Sequence, residues 1–286
     1  MCASVALPNI VYNIVCNIMI EAGAPQAAST KCAREPVTNR DKMAAKQLNS
    51  GAKAADKSAE SAPARQPAIA EVIARRIEED IVLGRRHPRE RLIEQDLCNL
   101  FHTHRGDVRL ALFELERKGL IERIPNRGAM VRGLAPGEVR AIYAVREELE
   151  VMAVRIIPFP VAPHDIARLE ELQQQHGAAV ARGDLLAVFY SNLRFHQALF
   201  GLCGNPCLIE TIDLLAEKVH GIRFYANAFP QPLDRARRDH LEMIKALRGG
   251  RRDELIALTR RHLRPSPEAY IKAYDLRFGK SERTND

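Results

Sequence analysis

Apolar residues recur at helical spacing over most of the chain beyond residue 67, and the places where that rhythm breaks divide it into elements. Ile69, Val72, Ile73, Ile77, Ile81 and Val82 fall at i, i+3, i+4 intervals, and Gly84 marks the end of the helix they predict. Leu92, Leu97 and Leu100 predict a second, short helix, and Val108, Leu112 and Leu115 a third that stops at Gly119. Leu120–Ile124 and Ala129–Val131, joined by Pro125-Asn126-Arg127-Gly128, then predict a small hairpin with a basic tip. After the Gly133–Gly137 linker the helical rhythm returns, predicting helices near 136–157, 164–181, 184–202, 206–227, 232–248 and 253–275. Asp184 and Asn205 stand where N-caps belong, Pro136 and Pro206 where a first turn tolerates proline, and Gly249-Gly250 where a helix must end. No stretch beyond Val131 alternates with period two. The expected fold is therefore mainly α: an N-terminal winged helix-turn-helix followed by a C-terminal antiparallel α-helical bundle.

These boundaries predict a winged helix-turn-helix over residues 67–133 and an all-helical domain over 134–276. Residues 23–67 are rich in Ala, Ser, Lys, Gln and Pro and hold almost no large apolar side chains, so they cannot offset the entropy of folding. Residues 1–66 are expected to be a disordered extension, and 277–286 a disordered tail. The apolar stretch Val5–Ile20 is interrupted by Pro8, Asn9, Asn13 and Asn17, and is too short to span a bilayer.

Charge adds a bias rather than an answer. Lys and Arg outnumber Asp and Glu by 43 to 36, for a net charge of +7 over 286 residues, which favours polyanionic or carboxylate partners. Six scattered cysteines (Cys2, Cys16, Cys32, Cys98, Cys203, Cys207) form no C-x-x-C pair, which fits a reduced, cytoplasmic setting. Cys203 and Cys207 read as small packing residues.

Two constellations carry chemistry. In a helix-turn-helix the second helix lies in the major groove with its N-terminal residues toward the base edges. Arg105 and Arg109 occupy that end on one face, opposite Val108, Leu112 and Leu115. An arginine fork meets guanine O6 and N7 together, or a phosphate at two points. Thr103 and His104 lie in the turn within reach of phosphate, and Arg127 beside Gly128 is placed for the backbone or the minor groove. The alternative is a solvated helix face and turn.

The second constellation lies in the bundle. Asn192 and His196 are one helical turn apart, and His240 and His262 are 22 residues apart with Gly249-Gly250 midway. Antiparallel helices joined at that turn bring the two imidazoles to the same height, because both rise about 1.5 Å per residue. Three histidines then converge, and neutral imidazoles suit Zn, Ni, Fe or Mn. His164, His176 and His220 lack such partners and read as surface or packing residues.

The run from Arg91 to Val131, R-L-x-E-x-x-L, H-R-x-x-V-R-x-A-L-x-x-L-E-x-x-G-L and P-N-R-G-A-x-V, resembles the DNA-binding domain of GntR-family transcriptional regulators. It departs from the family pattern at His104, Gly106-Asp107 and Leu110. VREELE at 145–150, NLRFH at 192–196, GNP at 204–206, DHLEMIKAL at 239–247 and RRHL at 260–263 resemble the FCD effector domain of the FadR-type branch, in a compact, VanR-like version. The resemblance implies a divalent metal (Zn, Ni, Mn or Fe) on Asn192, His196, His240 and His262, receiving a small organic acid. It also implies an effector-binding arginine at Arg146, for which a salt bridge to a bundle glutamate is the alternative. The function it implies is a homodimeric, ligand-responsive repressor on a double-stranded DNA operator, with no catalytic residues. A metal-dependent hydrolase or lyase using the histidines is the rival, disfavoured because no general base accompanies them in a pattern such as H-E-x-x-H.

Overall fold

The structure, a computed structural model, describes residues 68–124, 128–227 and 230–278. The expectations for residues 1–66, for the tip of the hairpin with Arg127, and for 279–286 fall outside the described residues.

Helix α1 (Ile69–Val82) buries Ile73, Ala74, Ile77, Ile81 and Val82 and ends before Gly84, whose φ of +66° turns the chain. Strand β1 (Arg91–Leu92), helix α2 (Glu94–Phe101), helix α3 (Arg105–Arg117) and strands β2 (Ile121–Ile124) and β3 (Gly128–Val131) complete the first half. The strands form one antiparallel sheet in the order β1-β3-β2, with Leu92 opposite Ala129 and Ile121 opposite Val131. One residue is corrected here: Leu92 belongs to a strand, not to the second helix. Ile93 is extended (φ −87°, ψ 122°), and α2 starts after it with Glu94 and Asp96 in the first turn, where the helix dipole favours acid. Leu92 is fully buried beneath the hairpin, while Leu100, the other marker of that helix, is half exposed. Val108, Ala111, Leu112 and Leu115 of α3 join the α1 face, Leu97 and the sheet in one core.

Beyond Val131 the described residues are all helix or connection: α4 (Pro136–Ile156), α5 (Pro163–Arg182), α6 (Leu185–Gly201), α7 (Pro206–Lys218), α8 (His220–Asn227), α9 (Pro230–Arg248), α10 (Arg252–Leu263) and α11 (Pro265–Phe278). The expected caps are present: Asp184 accepts from the Ala187 amide at 3.0 Å and Asn205 from Leu208 at 3.1 Å. Two predicted helices are split. The 206–227 span breaks at Val219 (φ −111°, ψ 15°), and the last span breaks because Pro265 has no N–H to continue the ladder and crowds the preceding turn. The central core joins α4, α5, α6, α7, α9 and α10 around Phe195, Leu199, Leu169 and Met243. No described helix is long and apolar enough to cross a membrane.

The two halves meet through α1, which packs on α8 and touches α6. At that junction Glu78 of α1 is buried between His220 Nδ1, 2.6 Å away, and Lys118 Nζ, 2.7 Å away. Lys118 is the C-cap of α3.

Candidate functional site

The N-terminal end of α3 is exposed. His102 takes the left-handed conformation (φ 50°, ψ 46°) that closes α2, and His104 is the extended N-cap of α3. Thr103 Oγ1 donates to Asp107 Oδ2 at 2.5 Å, so the acidic residue of the first turn fixes the turn rather than facing outward alone. His104, Arg105 and Arg109 are all exposed. Each arginine is held by α2: Arg105 Nη2 donates to Gln95 Oε1 at 2.9 Å, and Arg109 Nε to the Glu94 carboxylate at 3.0 and 3.3 Å. Gly128 opens β3 at φ +84°, and a Cβ there would stand 3.1 Å from the Leu92 carbonyl oxygen. Its glycine is thus demanded by the close approach of β1.

In the helical half, α6, α9 and α10 bring His196, His240 and His262 together, with one ligand-capable nitrogen from each within 4.8 Å of the others. His196 Nε2 and His262 Nε2 are 3.0 Å apart. That spacing suits adjacent nitrogens on one ion at about 2.1 Å from each. His240 is fully buried and stacks on Phe195 at 4.0 Å between ring centroids. Its Nδ1 faces Gln173 Oε1 at 2.9 Å, and Gln173 is itself oriented by donating its amide to the Arg237 carbonyl. The amide oxygen can only accept, so His240 carries its proton on Nδ1 and turns an Nε2 lone pair inward. That Nε2 has no hydrogen-bond partner among the described residues, nor has His196 Nδ1, while His262 Nδ1 has only the Asp239 carboxylate 3.5 Å away. An unpartnered buried Nε2 on His240, two facing Nε2 atoms on His196 and His262, and a partner fixing the far nitrogen of His240 make a donor set suited to a divalent ion. Burial, then the neighbouring charge of His262, holds His196 and His240 well below the ordinary imidazole range. Both are neutral at pH 7, as ligation demands.

His196 and His262 line a cavity in the helical half, with His240 buried behind them. Asn192 lines it, one turn before His196, together with His176, Arg146 and Arg223. Arg146 is in the wall, but its fork is spent on Glu150: Nε and Nη2 lie 3.2 and 2.8 Å from Oε1, both residues buried. Asp239, also in the wall, accepts from Arg261 at 3.1 and 2.5 Å and lies 3.5 Å from His262 Nδ1. His176 is not an isolated packing residue. It lies 5.1 Å from the His240 ring and 3.1 Å from Ser191 Oγ, and burial lowers its pKa to about 4. His220 is likewise buried at the junction, whereas His164 is exposed.

Gln173, His176, Arg223 and Asp239 were not singled out by their types. A signal existed for the first two. Ile166, Leu169, Gln173, His176 and Ala179 form the inward stripe of α5, and two polar residues in apolar register must serve a buried polar site.

A winged helix-turn-helix presenting arginines at the start of its second helix, fused to a helical body built around a cavity, defines a DNA-binding regulator. Residues 69–131 match the family of bacterial regulatory proteins named gntR, and residues 141–265 match the FCD domain, so the chain joins a GntR-type DNA-binding domain to an FCD domain. It is 26% identical to the HTH-type transcriptional repressor RspR of Escherichia coli (strain K12) over 197 residues, 69% of this chain and 86% of that protein. It is 28% identical to the Nta operon transcriptional regulator of Aminobacter aminovorans over 178 residues, 62% of this chain and 82% of that protein. The solved structure of E. coli McbR/YncC shares the fold with a TM-score of 0.63 at 21% identity, covering 73% of this chain and all of that one.

Proposed function

We propose that this transcriptional regulator is a homodimeric repressor that binds a pseudo-palindromic operator and is released when a small organic acid binds at a divalent metal held by Asn192, His196, His240 and His262. The observation that carries this reading is the convergence of three imidazoles, two of which line the cavity. Zn, Ni, Mn or Fe suits that donor set, with Asn192 as an oxygen donor from the same helix as His196. When bound, the ion supplies a Lewis-acidic anchor for a carboxylate. Gln173 orients His240, Asp239 stands beside His262, and Phe195 packs one face of the site dry.

Arg105 and Arg109 are the base- and phosphate-contacting groups in this reading, with Thr103 and His104 at the turn and Arg127 and Gly128 on the wing. Operator binding exchanges the Gln95 and Glu94 contacts for contacts to DNA. A dimer is supported by Val145, Met152 and Ile156, which stay 52%, 45% and 40% exposed along one face of α4. Binding rather than hydrolysis is favoured because Glu150 and Asp239, the carboxylates of the cavity wall, are each engaged by an arginine, leaving neither as a free general base.

Fluorescence anisotropy on operator DNA tests the reading. Arg105→Ala with Arg109→Ala should abolish specific binding while circular dichroism stays unchanged; undiminished binding would overturn the assignment of α3. Metal analysis should give near one divalent ion per chain in the wild type, lost in His196→Ala plus His240→Ala.

A further inference from the structure

We propose that Arg223, rather than Arg146, is the anion-receiving group of the cavity, and that the effector is a small dicarboxylate with one carboxylate at the three histidines and the other on Arg223. This rests on the metal-site reading above and narrows its ligand class.

The inference comes from accounting for charge around the cavity. Arg146 is compensated by Glu150 and lies over the Tyr143 ring, and Asp239 is compensated by Arg261. Arg223 lines the same cavity, is 91% buried, and has no hydrogen bond or ion pair among the described residues. Burial, then repulsion from Arg146, lowers its pKa to about 10, so it stays charged at neutral pH at a cost. A desolvated guanidinium is retained without a partner only where a counter-anion arrives. Arg235, also in the wall, adds a second cation without a described ion pair. The cavity therefore has two poles: a neutral imidazole cluster suited to an ion, and an uncompensated arginine whose planar fork suits a carboxylate. A monocarboxylate satisfies one pole. A dicarboxylate satisfies both.

Titration calorimetry on the full-length, zinc-loaded protein tests this with succinate and glutarate against butyrate, which has succinate's carbon skeleton and one carboxylate fewer. At least one dicarboxylate should bind about tenfold or more tighter than butyrate. Arg223→Gln should erase that preference while leaving butyrate affinity and zinc content unchanged, and Arg223→Lys should restore part of it. The ligand-free Arg223→Gln protein should melt no lower than the wild type, because an uncompensated buried charge has been removed. The proposal is overturned if butyrate binds as well as both dicarboxylates, if neither dicarboxylate binds, or if the preference survives in Arg223→Gln. Zinc content separates this from the metal reading: a preference lost in Arg223→Gln in a chain that holds no zinc supports the arginine and sinks the metal site. Bound zinc with no role for Arg223 does the reverse.

Discussion

At the scale of single residues, the metal-site reading depends on Gln173 as much as on the histidines. Its carbonyl oxygen faces His240 Nδ1, and its amide is anchored on the Arg237 carbonyl, so the inward Nε2 of His240 is available in one tautomer only. Removing such an outer partner weakens metal binding by about ten- to a hundredfold in comparable sites. Gln173→Leu should therefore lower zinc affinity by about that factor in competition with a chelating dye, with the helical content intact. Unaltered affinity would mean that His240 is oriented by its packing on Phe195 alone.

At the scale of elements, the junction between α1 and α8 makes a prediction about acid. Burial lowers His220 to about 4, against its hydrogen bond to Glu78 and with Arg223 and Lys118 nearby. Burial works to raise the Glu78 carboxyl, but His220 and Lys118 outweigh it and its pKa falls below the ordinary value. Glu78 is thus ionised and accepts from His220 Nδ1–H. The unfolded His220 takes up a proton near pH 6.5 while the folded one does not until about 4. Its contribution is present above 6.5 and is lost as pH falls through that window. Between pH 7.5 and 5 this amounts to about 2 kcal/mol. His220→Gln keeps an amide donor for Glu78 and cannot titrate, so urea unfolding of this variant should lose about 2 kcal/mol less than the wild type over that range. Parallel profiles would show that His220 is already charged in the folded protein.

The elements also show what could be read without coordinates. Residues 105–131 and the histidine convergence were legible because both follow from local rules: a helix period, a glycine stop, and the equal rise of two antiparallel helices about Gly249-Gly250. Leu92 was misplaced because a two-residue strand has no period of its own and is defined by its partner Ala129, 37 positions away. The break at Val219 is marked by no proline, and Gly221, two residues on, lies inside the next helix rather than at a stop. Arg223 and Glu78 could not be assigned at all, since a charged residue becomes informative only once its burial and its neighbours are known.

At the scale of the whole molecule, two helices, α6 and α8, connect the cavity to the DNA-binding half, and α6 does so through a hydrogen bond to α1. Asn192 and His196 of α6 face the cavity, Phe189 lines it and meets the His220 ring edge-on at 5.0 Å, and the Tyr190 hydroxyl donates to Glu79 Oε1 of α1 at 2.9 Å. Glu78, next to that acceptor, binds Lys118 at the C-terminal end of α3. A displacement of α6 on ligation at His196 is felt first at these contacts, because packed interfaces shift between discrete arrangements rather than deform smoothly. The coupling is measurable as the ratio of operator Kd values in zinc-loaded and zinc-stripped protein, and it must appear equally as an effect of operator on zinc affinity. The wild-type ratio should differ from one by about fivefold or more. Tyr190→Phe removes a single hydrogen bond at a position that touches neither metal nor DNA, so both affinities should survive while the ratio moves toward one. A ratio unchanged in Tyr190→Phe would place the coupling on the His220–Glu78 contact instead, and a wild-type ratio of one would show that metal occupancy alone does not reach the operator.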